Sequence, residues 1–204
     1  INAMFEGEKI NVTEKRSALH TALRNFKAND LNNLYKINKK LLVRFKDLSK
    51  FCNQIRTGQK KSGSGSKFTD VVNIGIGGSE LGPKLVTSAL SEYHNGPKIH
   101  FVSNIDSSDI LNTIKNLDPN KTLFIISSKS FTTTETINNA KTALKWVCEL
   151  LGSNALKNFV AVCSAKEKAL DFGILKENIF EFDEWVGGRF SVWGPIGLPV
   201  MLSI

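Results

Sequence analysis

Five short apolar runs recur in the last two thirds of the chain: "VVNIGI" from Val71, "KIHFVS" from Lys98, "TLFIIS" from Thr122, "FVAVCS" from Phe159 and "NIFEF" from Asn178. Stretches with helical spacing separate them, at about 80–93, 107–117, 133–151 and 164–172. A strand joined to a parallel neighbour needs a crossover of a dozen or more residues, and a helix usually fills it. The alternation therefore predicts βαβ units: a doubly wound, mainly parallel five-stranded sheet with helices on both faces. The runs are apolar throughout, as strands covered on both sides must be. In such sheets ligands sit beyond the carboxyl ends of the strands. That rule selects four loops: Gly75–Leu81, Ser103–Asp109, Ser127–Thr133 and Asp183–Ser191.

The first third reads differently. Asn11 followed by Glu14 has the spacing of a capping box, so a helix is expected there, with Ala18, Leu19, Ala22 and Leu23 as its apolar stripe. A longer helix is expected from Asp30, carried by Leu34, Ile37, Leu41, Phe45, Leu48, Phe51, Cys52 and Ile55 and ended by Gly58. "KKSGSGSK" then reads as a flexible link. The expected division is a helical segment over 1–58, a linker over 59–67 and an α/β domain over 68–204 that is cut short at its C-terminal end. The start without an initiator Met and the end inside "GPIGLPVMLSI" suggest a piece of a longer chain.

The chain carries a net charge of +8, and the excess lies in residues 1–70. Its lysines there fall at helical intervals without interleaved aromatics, which suits a solvated helix face better than a nucleic-acid surface. No run approaches the ~20 apolar residues of a membrane span. Cys52, Cys148 and Cys163 are scattered and odd in number, which fits a reducing compartment and argues against a disulfide framework or a metal knuckle.

Two loops look built for an anion. In "NIGIGGSELGP", Gly75, Gly77 and Gly78 let backbone N–H groups turn toward a ligand, and Ser79 adds a hydroxyl. A dinucleotide fingerprint fails at its third glycine, where Glu80 stands, and a phosphate-binding P-loop fails because Pro83 takes the lysine position. A plain strand-to-helix turn is the bland alternative. In "SSKSFTTTET", the spacing Thr132 to Glu135 is a capping box, so a helix should start at Thr132. Its unpaired N–H groups and partial positive charge would face Ser128, Lys129, Ser130 and Thr133. Hydroxyls, amides and one ammonium together suit a dianionic phosphate. The alternative is one capping threonine with the remainder in water.

The third loop is "FDEWVGGRFSVWGPIGLP". Gly187 and Gly188 permit close backbone approach beside Arg189, whose guanidinium could fork onto an anion or offset charge developing on an oxygen. Trp185, Phe190 and Trp193 could shield it from water. A surface arginine on a packed aromatic turn is the competing reading.

The run "EWVGGRFSVWGPIGL" resembles the signature of the glucose-6-phosphate isomerase family. "NIGIGGSELGP" and "SSKSFTTTET" resemble its two sugar-phosphate loops, in the same order, and "GEKINVTEKRSALHTALRN" resembles its N-terminal helical segment. The resemblance implies a sugar isomerase type fold and reversible interconversion of glucose 6-phosphate and fructose 6-phosphate through a cis-enediol. By that resemblance Ser128, Lys129, Ser130 and Thr133 hold the phosphate, with Thr132 in the same loop. Gly78 and Ser79 contact the sugar, and Arg189 supports the enediol. The family's glutamate base, ring-opening histidine and late lysine all follow the arginine signature, beyond Ile204. Asp183 and Glu184 match no catalytic position, nor do His20, His94 and His100; His20 reads as a packing histidine. No cofactor or metal is implied. A homodimer in the cytoplasm is, with no membrane or nucleic-acid partner. The rivals are a non-catalytic sugar-phosphate module of the same fold, a dinucleotide oxidoreductase and a nucleic-acid-binding protein.

Overall fold

A computed structural model describes residues 1–24 and 34–204. Five strands, β1 (Asp70–Ile74), β2 (Lys98–Val102), β3 (Thr122–Ser127), β4 (Phe159–Cys163) and β5 (Ile179–Glu181), form one sheet in the order β2-β1-β3-β4-β5, every pairing parallel. The α/β fold class is as the alternating runs predict, and each strand starts within one residue of its expected position.

Side chains alternate across the sheet. Val72, Ile74, Phe124 and Ile126 join a core with α4 (Ser107–Ile114), α5 (Thr134–Leu151) and α6 (Lys166–Asp171). Val71, Leu123 and Ile125 join a second core with α2 (Leu34–Thr57) and α7 (Leu198–Ser203). The basic helix α2 therefore covers one face of the sheet through Leu48, Phe51, Cys52 and Ile55, with Lys39, Lys40, Lys46 and Lys50 exposed. Each such fully buried side chain contributes about 1.5–3 kcal/mol by leaving water. Helix α3 (Leu81–Ala89) follows β1, and α1 (Asn2–Phe5) is a single turn. Gly58, at φ +77, ends α2 as expected. The expected helix start at Asp30 lies outside the described residues.

Three local expectations change. Asn11 and Glu14 do bond reciprocally, Glu14 N–H to Asn11 Oδ1 at 3.1 Å and Asn11 Nδ2 to Glu14 Oε2 at 3.3 Å. The pair closes a turn instead of opening a helix, because Lys15 takes φ +53 and Asn11 and Arg16 then bridge antiparallel. The apolar stripe survives only as a short 3₁₀ turn, His20–Arg24, whose neighbouring Leu19 and own Ala22 and Leu23 pack on Leu41. In α5 the N-cap is Thr133, one residue later than expected, and its side chain makes no cap bond. Residues 59–67 form a hydrogen-bonded turn: Ser62 is buried, and Gly63 N–H donates to Asn158 Oδ1 at 2.7 Å.

The sheet order opens a crevice. From β1 the chain steps out to β2, then crosses back to β3 on the other side of β1. Connections therefore diverge between β1 and β3, and the space beyond their carboxyl ends is left free for a ligand. The Gly75–Leu81 and Ser127–Thr133 loops leave those two strands.

Candidate functional site

A buried polar group on the central strand sets the first two loops. Asn73 is fully buried among apolar neighbours. Its Nδ2 donates to the Ser79 carbonyl at 3.1 Å, and its Oδ1 accepts the Ser127 hydroxyl at 2.8 Å. Left without partners, such an amide would cost about 1–3 kcal/mol, so the two loops and the strand fix one another. Gly75 needs its missing side chain here, since a Cβ would stand 2.9 Å from the Ser127 carbonyl oxygen. Asn73 is not among the residues that sequence reasoning selects. Its signal is a lone amide inside a strand otherwise apolar on both faces.

The Ser127–Thr133 loop is pinned by Phe131. That residue takes φ +52 and buries its ring against Phe172. The left-handed backbone costs about 1–3 kcal/mol in a bulky residue, and burying the ring offsets a similar amount. With the ring inward, Ser130 and Thr132 on its two sides turn to the surface, while Ser128 stays buried. Ser128 Oγ lies 3.2 Å from Thr133 Oγ1, and Thr132 Oγ1 donates to Ser130 Oγ at 2.7 Å. Two hydroxyls in one bond use one proton and keep one, so each pair retains a donor. No side chain caps α5, and its first N–H groups face the same region.

Lys129 is the link to the third loop. It lines a cleft of about 470 Å³ with Arg16, Ser130, Thr133 and Lys168 and with the carboxylates Glu14 and Glu184, and also a cleft of about 130 Å³ with Ser79, Gly78, Gly187 and Gly188. Its ammonium stands 3.8 Å from where a Gly187 Cβ would be. Burial pushes its pKa down, Arg16 pushes the same way, and Glu14 and Glu184 oppose them. An ammonium short of water is one an anion would stabilise. Two larger clefts, of about 520 Å³ along α2 and β5 and about 540 Å³ around Ser103–Thr113, include none of the candidate residues of these loops.

The glycine turns touch. A Cβ on Gly78 would fall 2.5 Å from the Gly188 carbonyl oxygen, so any side chain there would force the loops apart. Gly188 itself sits at φ +59, which glycine adopts freely. Ser191 Oγ lies 3.0 Å from Gly78 O and 2.7 Å from Gly188 O, sharing its proton between them. Arg189 is exposed, lines neither cleft, and its side chain forms no hydrogen bond or ion pair with another described residue. Gly78, Ser79, Ser128, Lys129, Ser130, Thr132, Thr133 and Arg189 thus lie on three adjoining loops.

The other candidates are engaged elsewhere. Asp183 pairs with Lys40 Nζ and Arg44 Nη1, each at 2.8 Å. Burial alone would raise its pKa, but the two cations outweigh that and hold it below the ordinary value. Glu184 answers Arg16 with both its carbonyl and its carboxylate. His100 bonds Asp70 at 2.8 Å on the far half of the sheet, and His94 bonds the Pro97 carbonyl. His20 does pack, but against Trp185 and Phe190 of the third loop. Among the described residues, no group of three His, Cys, Asp or Glu is placed to hold a metal ion. No helix among them is long and apolar enough to cross a membrane.

Comparison with known proteins agrees with this architecture. The family model described as "Phosphoglucose isomerase" matches residues 1–204. The glucose-6-phosphate isomerase of Bartonella bacilliformis is 54% identical over 208 residues, covering 99% of this chain and 37% of that protein. The one from Mesorhizobium japonicum is 48% identical, with 99% and 37% covered. The crystal structure of a glucose-6-phosphate isomerase from Chlamydia trachomatis superposes with a TM-score of 0.75 at 29% identity, over 98% of this chain and 38% of that one. The chain therefore spans little more than a third of the curated relatives' length.

Proposed function

The chain belongs to the phosphoglucose isomerase family, and from that premise we propose that it is the sugar-phosphate-binding part of a glucose-6-phosphate isomerase. The whole protein interconverts glucose 6-phosphate and fructose 6-phosphate. The observation that carries the reading is the junction at Lys129, where the polar start of α5 meets the Gly78 and Gly187–Gly188 turns.

The roles follow from chemistry. Ser128, Ser130, Thr132 and Thr133 offer hydroxyl donors, α5 offers amides, and Lys129 offers charge to the phosphate. Each charge-assisted bond contributes about 1.5–3 kcal/mol. Held by its phosphate, the opened sugar lies along Ser79 and Gly78 toward Arg189. A proton then moves between C2 and C1 through the cis-enediol, and the guanidinium offsets charge on the enediol oxygens. Remote phosphate binding aids turnover by positioning the reacting carbons. Two carboxylates, Glu14 and Glu184, line the larger of the two clefts at Lys129, each 3.9 Å from Arg16. By the family resemblance we assign the proton-transferring base, the ring-opening histidine and the late lysine to the part of the full-length protein outside residues 1–204. A cytoplasmic homodimer, and a division of the chain at residues 59–67, belong to the same proposal.

A coupled assay of the full-length protein with fructose 6-phosphate tests the activity. Turnover that loses affinity on Lys129→Ala supports the reading. A protein that binds the sugar phosphate without turning it over would instead be the non-catalytic module.

A further inference from the structure

Gly187 is held by a side chain from far along the chain. Its N–H donates to His20 Nε2 at 3.0 Å, across 167 residues of sequence. Lys129 stands beside its Cα. The His20 ring is half-buried, edge-on to Trp185 with centroids 6.0 Å apart and tilted against Phe190 at 5.7 Å. One residue further, Ser191 holds the Gly188 carbonyl. Arg189 comes next and has no tether of its own among the described residues. Its position is therefore inherited from the Gly187–Gly188 backbone.

We propose that His20 is a positioning residue for Arg189: its unprotonated Nε2 accepts the Gly187 N–H and fixes the turn from which the guanidinium projects. Packing alone does not account for the contact, since an apolar side chain would fill the same place and leave that N–H without an acceptor. The surroundings favour the neutral ring. Helix α2 presents apolar Leu41 and Phe45 to this segment. The charged group bearing on the ring is Lys129, itself flanked by Arg16, Glu14 and Glu184. Burial, then Lys129, lowers the His20 pKa and keeps Nε2 available as an acceptor at neutral pH.

The inference rests on the isomerase reading, and the test separates the two. In the full-length protein, kcat and KM for fructose 6-phosphate and the melting temperature are measured for wild type, His20→Leu, His20→Met and His20→Gln. Wild-type turnover tests the isomerase reading by itself; the ratio of variant to wild type tests His20. Removing the acceptor with Leu should lower kcat at least tenfold while KM stays within about threefold, as expected for a misplaced group acting in the transition state. Gln, whose amide oxygen can take the N–H, should keep kcat within about threefold of wild type. If the Leu variant does not fold, Met replaces it. A Leu or Met variant with kcat within twofold of wild type overturns the proposal. So does a Gln variant as slow as Leu or Met when both melt within a few degrees of wild type.

Discussion

At the amino-terminal end of the strands, Asn158 satisfies its whole amide. It accepts from Gly63 N–H at 2.7 Å and donates to Pro119 O at 2.9 Å and Thr122 O at 3.0 Å, while Asp70 engages His100 nearby. At the carboxyl-terminal end, Ser128, Ser130, Thr132 and Thr133 bond in pairs that keep donors to spare, α5 goes uncapped, and Arg189 has no partner among the described residues. Asn158 is thus closed at the first end, although Asn178 Oδ1 at the start of β5 is buried without a partner among the described residues, while the loop hydroxyls at the second end keep donors free. Closed groups hold the fold. Open ones are free to bind a ligand in place of water, so the two ends should respond differently to substitution.

The largest effects should come at the open end and leave melting almost unchanged. Arg189→Ala in the full-length protein should lower kcat about 100- to 1,000-fold with little change in KM, checked by steady-state kinetics. Lys129→Ala should raise KM for fructose 6-phosphate about tenfold or more, from one lost charge-assisted bond. A fall in kcat alone would move Lys129 from phosphate binding to the chemistry.

The closed end should answer in stability instead. Asn158→Leu removes three hydrogen bonds and strands buried partners. Urea unfolding should show a loss of about 2–3 kcal/mol, with kcat of the folded protein unchanged. A loss of activity without a loss of stability would erase the contrast between the ends. At the carboxyl-terminal end, the ion-paired Asp183 also answers in stability and gives the smallest effect, about 1 kcal/mol after screening by solvent. Its folded pKa is depressed, so its contribution is present above the unfolded value of about 3.9 and is lost as pH falls through the folded value. Asp183→Asn should therefore lower the urea midpoint at pH 7, and the gap from wild type should close below about pH 4.

This contrast explains what can be read from sequence. The five strands are legible because apolar runs and helical spacing are properties of neighbouring residues. The hydroxyl cluster at 128–133 and the Gly-Gly-Arg run are legible for the same reason. The Asn11–Glu14 pair misleads because a reciprocal cap and a tight turn share one spacing; Lys15 at φ +53 decides between them. Phe131 escapes notice because nothing local says that a bulky residue will turn left-handed to bury its ring. The contacts that assemble the site, Asn73 to Ser79 and Ser127, Ser191 to Gly78, and His20 to Gly187, join separate strands and loops. Only the folded chain brings them together.

The most direct test is a crystal structure of the full-length protein with fructose 6-phosphate bound. The phosphate should lie at the start of α5, within hydrogen-bonding distance of Ser128, Ser130 or Thr133, with the Lys129 ammonium beside it and the sugar extending toward Gly78 and Arg189. A phosphate bound elsewhere, with those hydroxyls still paired to one another and facing water, would contradict the account.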